Sequence, residues 1–398
     1  MNIAIIFDQD IINGGGYQYT LSVMLMLKER VDEQQYEFVY FTTYPDNLSV
    51  LADLGINAHL FERSAVDTLF RYLRQDKLLY GIWKKMFGEI STQFEKVMCK
   101  HYIDLIYFVQ PSDLALHTNC HNYIYTLWDQ CHRDHPEFPE VNTEFNEREY
   151  LYNSVLPRSI AVITESELSR ENALRRYGLD GERVISIPLL LSNQAIASSE
   201  ECIDIFKKYE IGPDYIFYPA QFWSHKNHIY ILKGLKCLKD KYGIIVYALL
   251  AGSDKANQQN HIRKMAIDLG IENQVRFLGF VDGSEIPALY RSALALVMPT
   301  YFGNCNIPPL EAFSMGCPVL YSDLPGMREQ TGDAALYLDL KDPKSLSELI
   351  YKLMNDEELR GELIKKGKQR ISQFSKDMHW KHLKKIFDDY EIKLTCWK

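Results

Sequence analysis

Short apolar runs rich in β-branched and aromatic residues alternate with helix-like patterns along this whole chain, and that alternation restricts the fold more than any single motif. The runs are "NIAIIF", "EFVYFTTY", "DLIYFV", "NYIYTLW" and "IAVITES", then "YIFYPA", "IIVYALLAG", "VRFLGF", "ALALVMPT" and "PVLYSD". Strands this continuously apolar are buried on both faces, as in a parallel sheet covered by helices. The first set closes near "VISIPLLL", and the polar, irregular "SNQAIASSEE" precedes the second. A chain of 398 residues is long enough for two such cores. The expected class is therefore α/β, with two doubly wound Rossmann-like domains facing each other across a cleft. They are expected over residues 1–190 and 214–375, with a linker over 191–213. In the closing segment 376–398, Trp380, Leu383, Phe387 and Tyr390 share one helical face, so that helix is expected to pack back on the N-terminal domain.

Composition narrows the partners. With 44 basic against 53 acidic residues the net charge is -9, which lacks the basic footprint of a nucleic-acid binder. The opening "MNIAIIFDQD" runs into a strand with no positive n-region. No apolar run approaches the roughly 18 residues of a membrane span. A cytoplasmic location is expected. Eight cysteines without a C-x-x-C are expected as reduced thiols. His117, Cys120 and His121, then Cys131, His132 and His135, look like zinc ligands on paper. Between them the strand-like "NYIYTLWD" spans about 26 Å at roughly 3.3 Å per residue, so the halves sit apart. No metal site is expected.

Ligands of such sheets bind beyond the carboxyl ends of the strands, so the loops after strands are where function is sought. The first, "FDQDIINGGGYQ", has several readings: Asp8 and Asp10 as metal ligands, as phosphatase residues, or as turn residues beside Gly14, Gly15 and Gly16. "GGG" lacks the G-x-G-x-x-G spacing, and the second strand ends in threonines with no acid for a ribose, which argues against NAD. The Asp-x-Asp resembles haloacid-dehalogenase-like phosphatases, but Ile12 stands where they carry threonine. The adjacent pair Asp388 and Asp389 sits in the C-terminal helix and not after a strand. The glycine turn is the favoured reading, with Asp8 and Asp10 as turn and acceptor-side residues.

The second domain is richer in chemistry. In "PAQFWSHKNH" Lys226 lies just past a strand end, ahead of a helix beginning near Asn227, where an ammonium can meet a phosphate. After "ALALVMPT" comes "YFGNCNIPPLEAFSMGCPVLYSD". Pro308 or Pro309 suits the first turn of a helix, and Gly316 suits its end. The loop before that helix aims backbone N–H groups and a positive dipole end at an anion. Glu311 is placed in the first turn, where it either complements the dipole or holds the two hydroxyls of a ribose.

"PAQFWSHKNH", "VRFLGFVDGSEIPALYRSALALVMPTYFGNCNIPPLEAFSMGCPVLYSD" and "GDAALYLD" closely resemble the retaining glycosyltransferases of family 4, which have the GT-B fold. The resemblance is strong over roughly 215–370; the first half matches in pattern, through Gly14–Gly16 and "LWDQCHRDHPEF". It implies that Lys226, with Gln221 and Asn227 in the same loop, binds the donor diphosphate and that Glu311 holds the ribose. The amides around Asn306 and Ile307 would take the distal phosphate, and the base would lie near Phe280 and Val281. Gly15 and Gly16 would close over the phosphates, and Asp129 would orient the donor sugar. Many members carry an arginine where this chain has Gln221, a second glutamate where it has Gly303, and His-Asp where it has Trp128–Asp129. "AQFW-HKN" and "N-IPPLEA" are shared with a subset resembling O-antigen and capsule mannosyl- or rhamnosyl-type transferases.

The resemblance implies transfer of a mannose-type sugar with retention, without metal or cofactor, from a GDP- or UDP-linked donor to a glycan or lipid-linked acceptor. The rival reading is a relic that holds a nucleotide sugar without turnover; Gly303 and Gln221 favour it, Lys226 and Glu311 oppose it. Segment 69–87 mixes Leu69, Phe70, Leu73, Leu78, Leu79, Ile82, Trp83 and Phe87 with Arg71, Arg74, Lys77, Lys84 and Lys85. It reads either as ordinary helices with apolar faces in the core, or as a basic amphipathic surface for anionic lipid at the inner face of the cytoplasmic membrane.

Overall fold

The run "NIAIIF" forms β1 (Asn2–Phe7), and from Ile3 onward every side chain in it is buried. The other apolar runs form strands as well, though "EFVYFTTY" opens on an exposed residue and "VRFLGF" is only half-buried after its first residue. All ten occupy strands, each trimmed by a residue or more at its ends except "NIAIIF". This computed structural model describes residues 1–10, 16–30, 35–87, 92–191, 204–254 and 257–398. Most of the polar linker stretch, 192–203, therefore lies outside the described residues.

The chain divides into two compact units. The first comprises Met1–Gln130, Glu144–Pro188 and Lys376–Lys398; the second comprises Cys131–Thr143 and Leu189–Ser375. In the first unit, β1 is joined by β2 (Glu37–Thr42), β3 (Ala58–Leu60), β4 (Leu105–Phe108), β5 (Asn122–Thr126), β6 (Ala161–Thr164) and β7 (Val184–Ser186). They form one parallel sheet in the order β3-β2-β1-β4-β5-β6-β7. The second unit holds β8 (Tyr215–Pro219), β9 (Tyr247–Ala251), β10 (Val275–Gly279), β11 (Ala295–Met298), β12 (Val319–Ser322) and β13 (Ala335–Leu338). These are also parallel throughout, in the order β10-β9-β8-β11-β12-β13.

Both sheets are doubly wound. The strand order reverses between β1 and β4 in one and between β8 and β11 in the other, and the loops leaving those neighbours diverge to open a crevice. β3, β7 and β13 are not among the ten apolar runs. β3 and β7 are only three residues long, and β13, though apolar, is half-buried at its centre.

The C-terminal helix Lys376–Leu394 belongs to the first unit and buries Trp380, Leu383, Phe387 and Tyr390. Trp380 and Phe387 meet Tyr36 edge-on, with ring centroids 6.4 and 5.4 Å apart. Such pairs each add about 0.5–1.5 kcal/mol beyond area burial. The Tyr390 hydroxyl accepts from Asn122 Nδ2 and donates to the Asp104 carbonyl, both at 3.0 Å. Among the described residues no helix is long and apolar enough to cross a membrane.

Candidate functional site

The switch point of the second unit gathers most of the residues singled out above. After β8 the chain turns through Gln221 and Trp223, and the Trp223 indole N–H donates to Gln221 Oε1 at 2.6 Å. A single 3-10 turn, Ser224–Lys226, follows. It ends on Asn227, whose left-handed φ of 56° redirects the chain into the helix His228–Tyr242. That turn delays the helix by one residue and leaves Lys226 in the loop between β8 and the helix. Its backbone is held on both sides: the Lys226 N–H donates to the Trp223 carbonyl at 3.0 Å, and Tyr218 Oη donates to the Lys226 carbonyl at 3.1 Å. Burial, with the adjacent Lys226 charge, pushes the His225 imidazole down to about 2, and burial likewise lowers His228 to about 3. Both rings are neutral at ordinary pH. The positive charge of this loop therefore resides on Lys226.

The second wall of the crevice follows β11. The helix Ile307–Met315 begins after Asn306, carries prolines at its second and third positions, and ends at Gly316 with φ 71°. Glu311 therefore falls in the second turn, not the first, because the helix starts at Ile307, ahead of the prolines. The simple dipole account is removed by that shift. Glu311 is buried instead, and Tyr290 Oη donates to its Oε2 at 3.0 Å. Burial and the neighbouring carboxylate push the Tyr290 hydroxyl well above its usual range, so it stays a donor.

At the mouth of the helix the Asn306 N–H donates to Gln330 Oε1 at 3.1 Å, while Gln330 Nε2 returns a bond to the Asn306 carbonyl at 2.6 Å. An anion taken by this amide would displace Gln330. Gly303 has φ 101°, and a Cβ there would lie 3.1 Å from the Asn306 side-chain amide. Phe280 is exposed and Val281 half-buried in the loop after β10. Nothing local in the sequence marks Tyr290 or Gln330, whose partners stand 21 and 24 residues away.

The remaining candidates lie in the first unit. Gly15 lies outside the described residues. Gly16 opens the helix Gly16–Lys28, and a Cβ there would meet Trp128 Cη2 at 2.6 Å, so close packing against the indole already requires glycine. Asp129 is ion-paired to Arg148 at 2.8 Å. Asp8 lies at the end of β1, where its carboxylate accepts from Ser112 Oγ at 2.6 Å and from Thr43 Oγ1 at 2.5 Å and pairs with Arg63 at 3.1 Å. Burial raises its pKa even so, and Arg63 also bridges to Asp113 at 2.6 Å.

The two halves of the His/Cys run fall in different units. Among the described residues Glu95, Cys99 and His121 lie close enough to share a cation. The Glu95 carboxylate accepts from the N–H groups of Asn119 and Cys120 and from His121 Nδ1, bonds that tie down the turn before β5.

The family model described as "Glycosyl transferases group 1" matches residues 203–370, the span that holds both walls of the crevice. This chain carries a glycosyl transferases group 1 domain. The domain's relatives include the O-antigen chain mannosyltransferase B of Escherichia coli, 27% identical over 60% of this chain and 63% of that one. The O-antigen chain mannosyltransferase RfbU of Salmonella typhimurium is 28% identical over 49% of this chain and 51% of its own. The matches thus span less than two thirds of either relative. The structure of Anabaena HepE in complex with UDP and glucose superposes with a TM-score of 0.73 at 17% identity, covering 98% of this chain and 100% of that one. The two doubly wound units, the second of which holds the group 1 match, thus have the GT-B class of fold.

Proposed function

We propose that this protein is a retaining, metal-independent glycosyltransferase. It moves a mannose-type sugar from a GDP- or UDP-linked donor to a glycan or lipid-linked acceptor in the assembly of a surface polysaccharide. The observation that carries the reading is that Lys226, the N-terminus of the helix Ile307–Met315 and the buried Glu311 all follow β8 and β11, the neighbouring strands of the switch point. The names of the O-antigen relatives support mannose.

Cleaving a sugar–phosphate bond develops positive charge at the anomeric carbon and negative charge on the departing diphosphate. Lys226 and the helix N-terminus stabilise the latter from fixed positions, which is the effective form of electrostatic catalysis. Glu311, with one oxygen fixed by Tyr290, presents its carboxylate to the ribose hydroxyls. In the retaining route the acceptor oxygen bonds to the anomeric carbon on the face the phosphate leaves. The carbon–phosphate oxygen bond breaks, and the acceptor's proton passes to that phosphate oxygen. No cofactor is consumed.

Incubation with a panel of nucleotide sugars, with and without excess chelator, tests the proposal. Slow donor hydrolysis by the protein, undiminished by chelator, is expected. Binding without any turnover would instead identify a nucleotide-sugar-binding relic. Loss on chelation, restored by magnesium or manganese, would return Asp8 and Asp10 to consideration as ligands.

The acceptor is reached at the inner face of the membrane through segment 69–87. In favour of this reading, Leu69, Leu78, Leu79 and Ile82 are exposed there beside exposed Lys84 and Lys85.

A further inference from the structure

The second unit includes residues 131–143, which precede the rest of it in sequence by more than forty positions. This piece is two short helices, Cys131–Asp134 and Pro139–Asn142, and it packs against both loops of the donor crevice. Glu140 Oε1 accepts from the His225 backbone N–H at 2.9 Å and from His225 Nδ1 at 2.6 Å. Both side chains are about nine-tenths buried, at 9% and 10% exposure. A carboxylate that fixes the main chain and the ring of one residue leaves that residue little freedom.

His225 in turn joins the two loops. Its carbonyl accepts from the Tyr301 N–H at 2.9 Å and from Thr300 Oγ1 at 3.3 Å. Its ring stacks on Phe302, with centroids 3.8 Å apart and planes 18° apart. His135 stacks on the same Phe302 at 5.7 Å, and Phe138 packs on Tyr301 at 5.4 Å. Lys226 is the next residue after His225, and Gly303 the next after Phe302.

We infer that Glu140 is a positioning residue for donor turnover: through His225 it sets where Lys226 stands relative to the loop that leads into the helix Ile307–Met315. The inference rests on the transferase reading above. Displacement of a catalytic group by about 1 Å costs on the order of 100-fold, so a residue that touches no substrate can govern rate in this way.

The experiment is a kinetic cycle on the full chain, using the nucleotide sugar that gives turnover. Glu140→Ala is expected to lower donor turnover roughly 10- to 100-fold. Glu140→Gln keeps an oxygen that accepts both His225 bonds and is expected to stay within about threefold of wild type. Adding Glu140→Ala to Lys226→Ala is expected to cost no more than about threefold further, because residues acting through one another are not additive. Glu140→Ala at the wild-type rate, or a loss that multiplies fully with that of Lys226→Ala, overturns the inference. Should Glu140→Ala fail to fold, Glu140→Asp takes its place. It withdraws the carboxylate by one methylene and is expected to lose at least fivefold without a lower melting temperature; wild-type turnover by it also overturns the inference. A wild type that turns over no nucleotide sugar defeats the transferase reading and this inference together. Turnover with an indifferent Glu140 defeats this inference alone.

Discussion

At position 303 the backbone runs with φ 101° and the Asn306 amide fills the space a side chain would enter. The family resemblance implies a glutamate there in many members, so Gly303→Glu looks like a repair. It is expected to do the opposite. Forcing a non-glycine residue into this region costs about 1–3 kcal/mol, and the variant should melt several degrees lower with no gain in turnover; a faster enzyme would disprove the steric account. Lys226→Ala should cost about 2–4 kcal/mol of transition-state stabilisation, read from kcat/KM; turnover within threefold of wild type would remove Lys226 from the site. Lys226 and Glu311 stand out as candidates in the sequence because each follows a recognisable apolar strand. Tyr290 and Gln330 do not. Their importance comes from single hydrogen bonds that only the folded chain creates.

The helices Ala65–Gln75 and Lys77–Phe87 show where an amphipathic pattern stops being informative. Ser64 and Asp67 form a capping box on the first, and Asp76 accepts from the N–H groups of Leu78 and Leu79 to start the second. Those local signals fix the hairpin, but periodicity alone leaves open which face is covered. In the structure Phe70 is fully buried against Tyr80, while Leu78 is 72% exposed and Leu79, Ile82, Tyr72 and Met86 are exposed with it. Exposed apolar residues on one hairpin beside Lys84 and Lys85 suit an anionic lipid surface better than water. The protein is expected to float with anionic vesicles in a density gradient. Changing Leu78, Leu79 and Ile82 to Ser, or Lys84 and Lys85 to Gln, should leave it at the bottom. A wild type that stays down at low salt would mean a soluble acceptor.

Across the whole molecule, stability should fall in mild acid. His228 and His379 are buried and held neutral, with pKa values lowered chiefly by burial to about 3 and 4. The unfolded chain protonates them near pH 6.5, so between that value and about 4 the unfolded state binds more protons than the folded one. Stability is full above pH 6.5 and declines below it, by up to about 1.4 kcal/mol per pH unit for each group. Thermal melts at pH 7.5, 6.5 and 5.5 should show little change over the first step and a clear drop over the second. Equal melting temperatures at 6.5 and 5.5 would contradict the burial of these rings. At this scale the sequence was most legible, since continuous apolar strands alternating with helices leave few alternatives to parallel, doubly wound sheets. What it concealed was which unit each segment joins, because Cys131–Thr143 carries no compositional break from its neighbours.

That exchange of segments bears on how such genes can be recombined. A chimaera made by swapping residues 189–375 between two homologous chains would set one parent's Glu140 against the other's His225 loop. Exchanging the second unit by shuffling would therefore take a second crossover, carrying residues 131–143 along with the tract they contact.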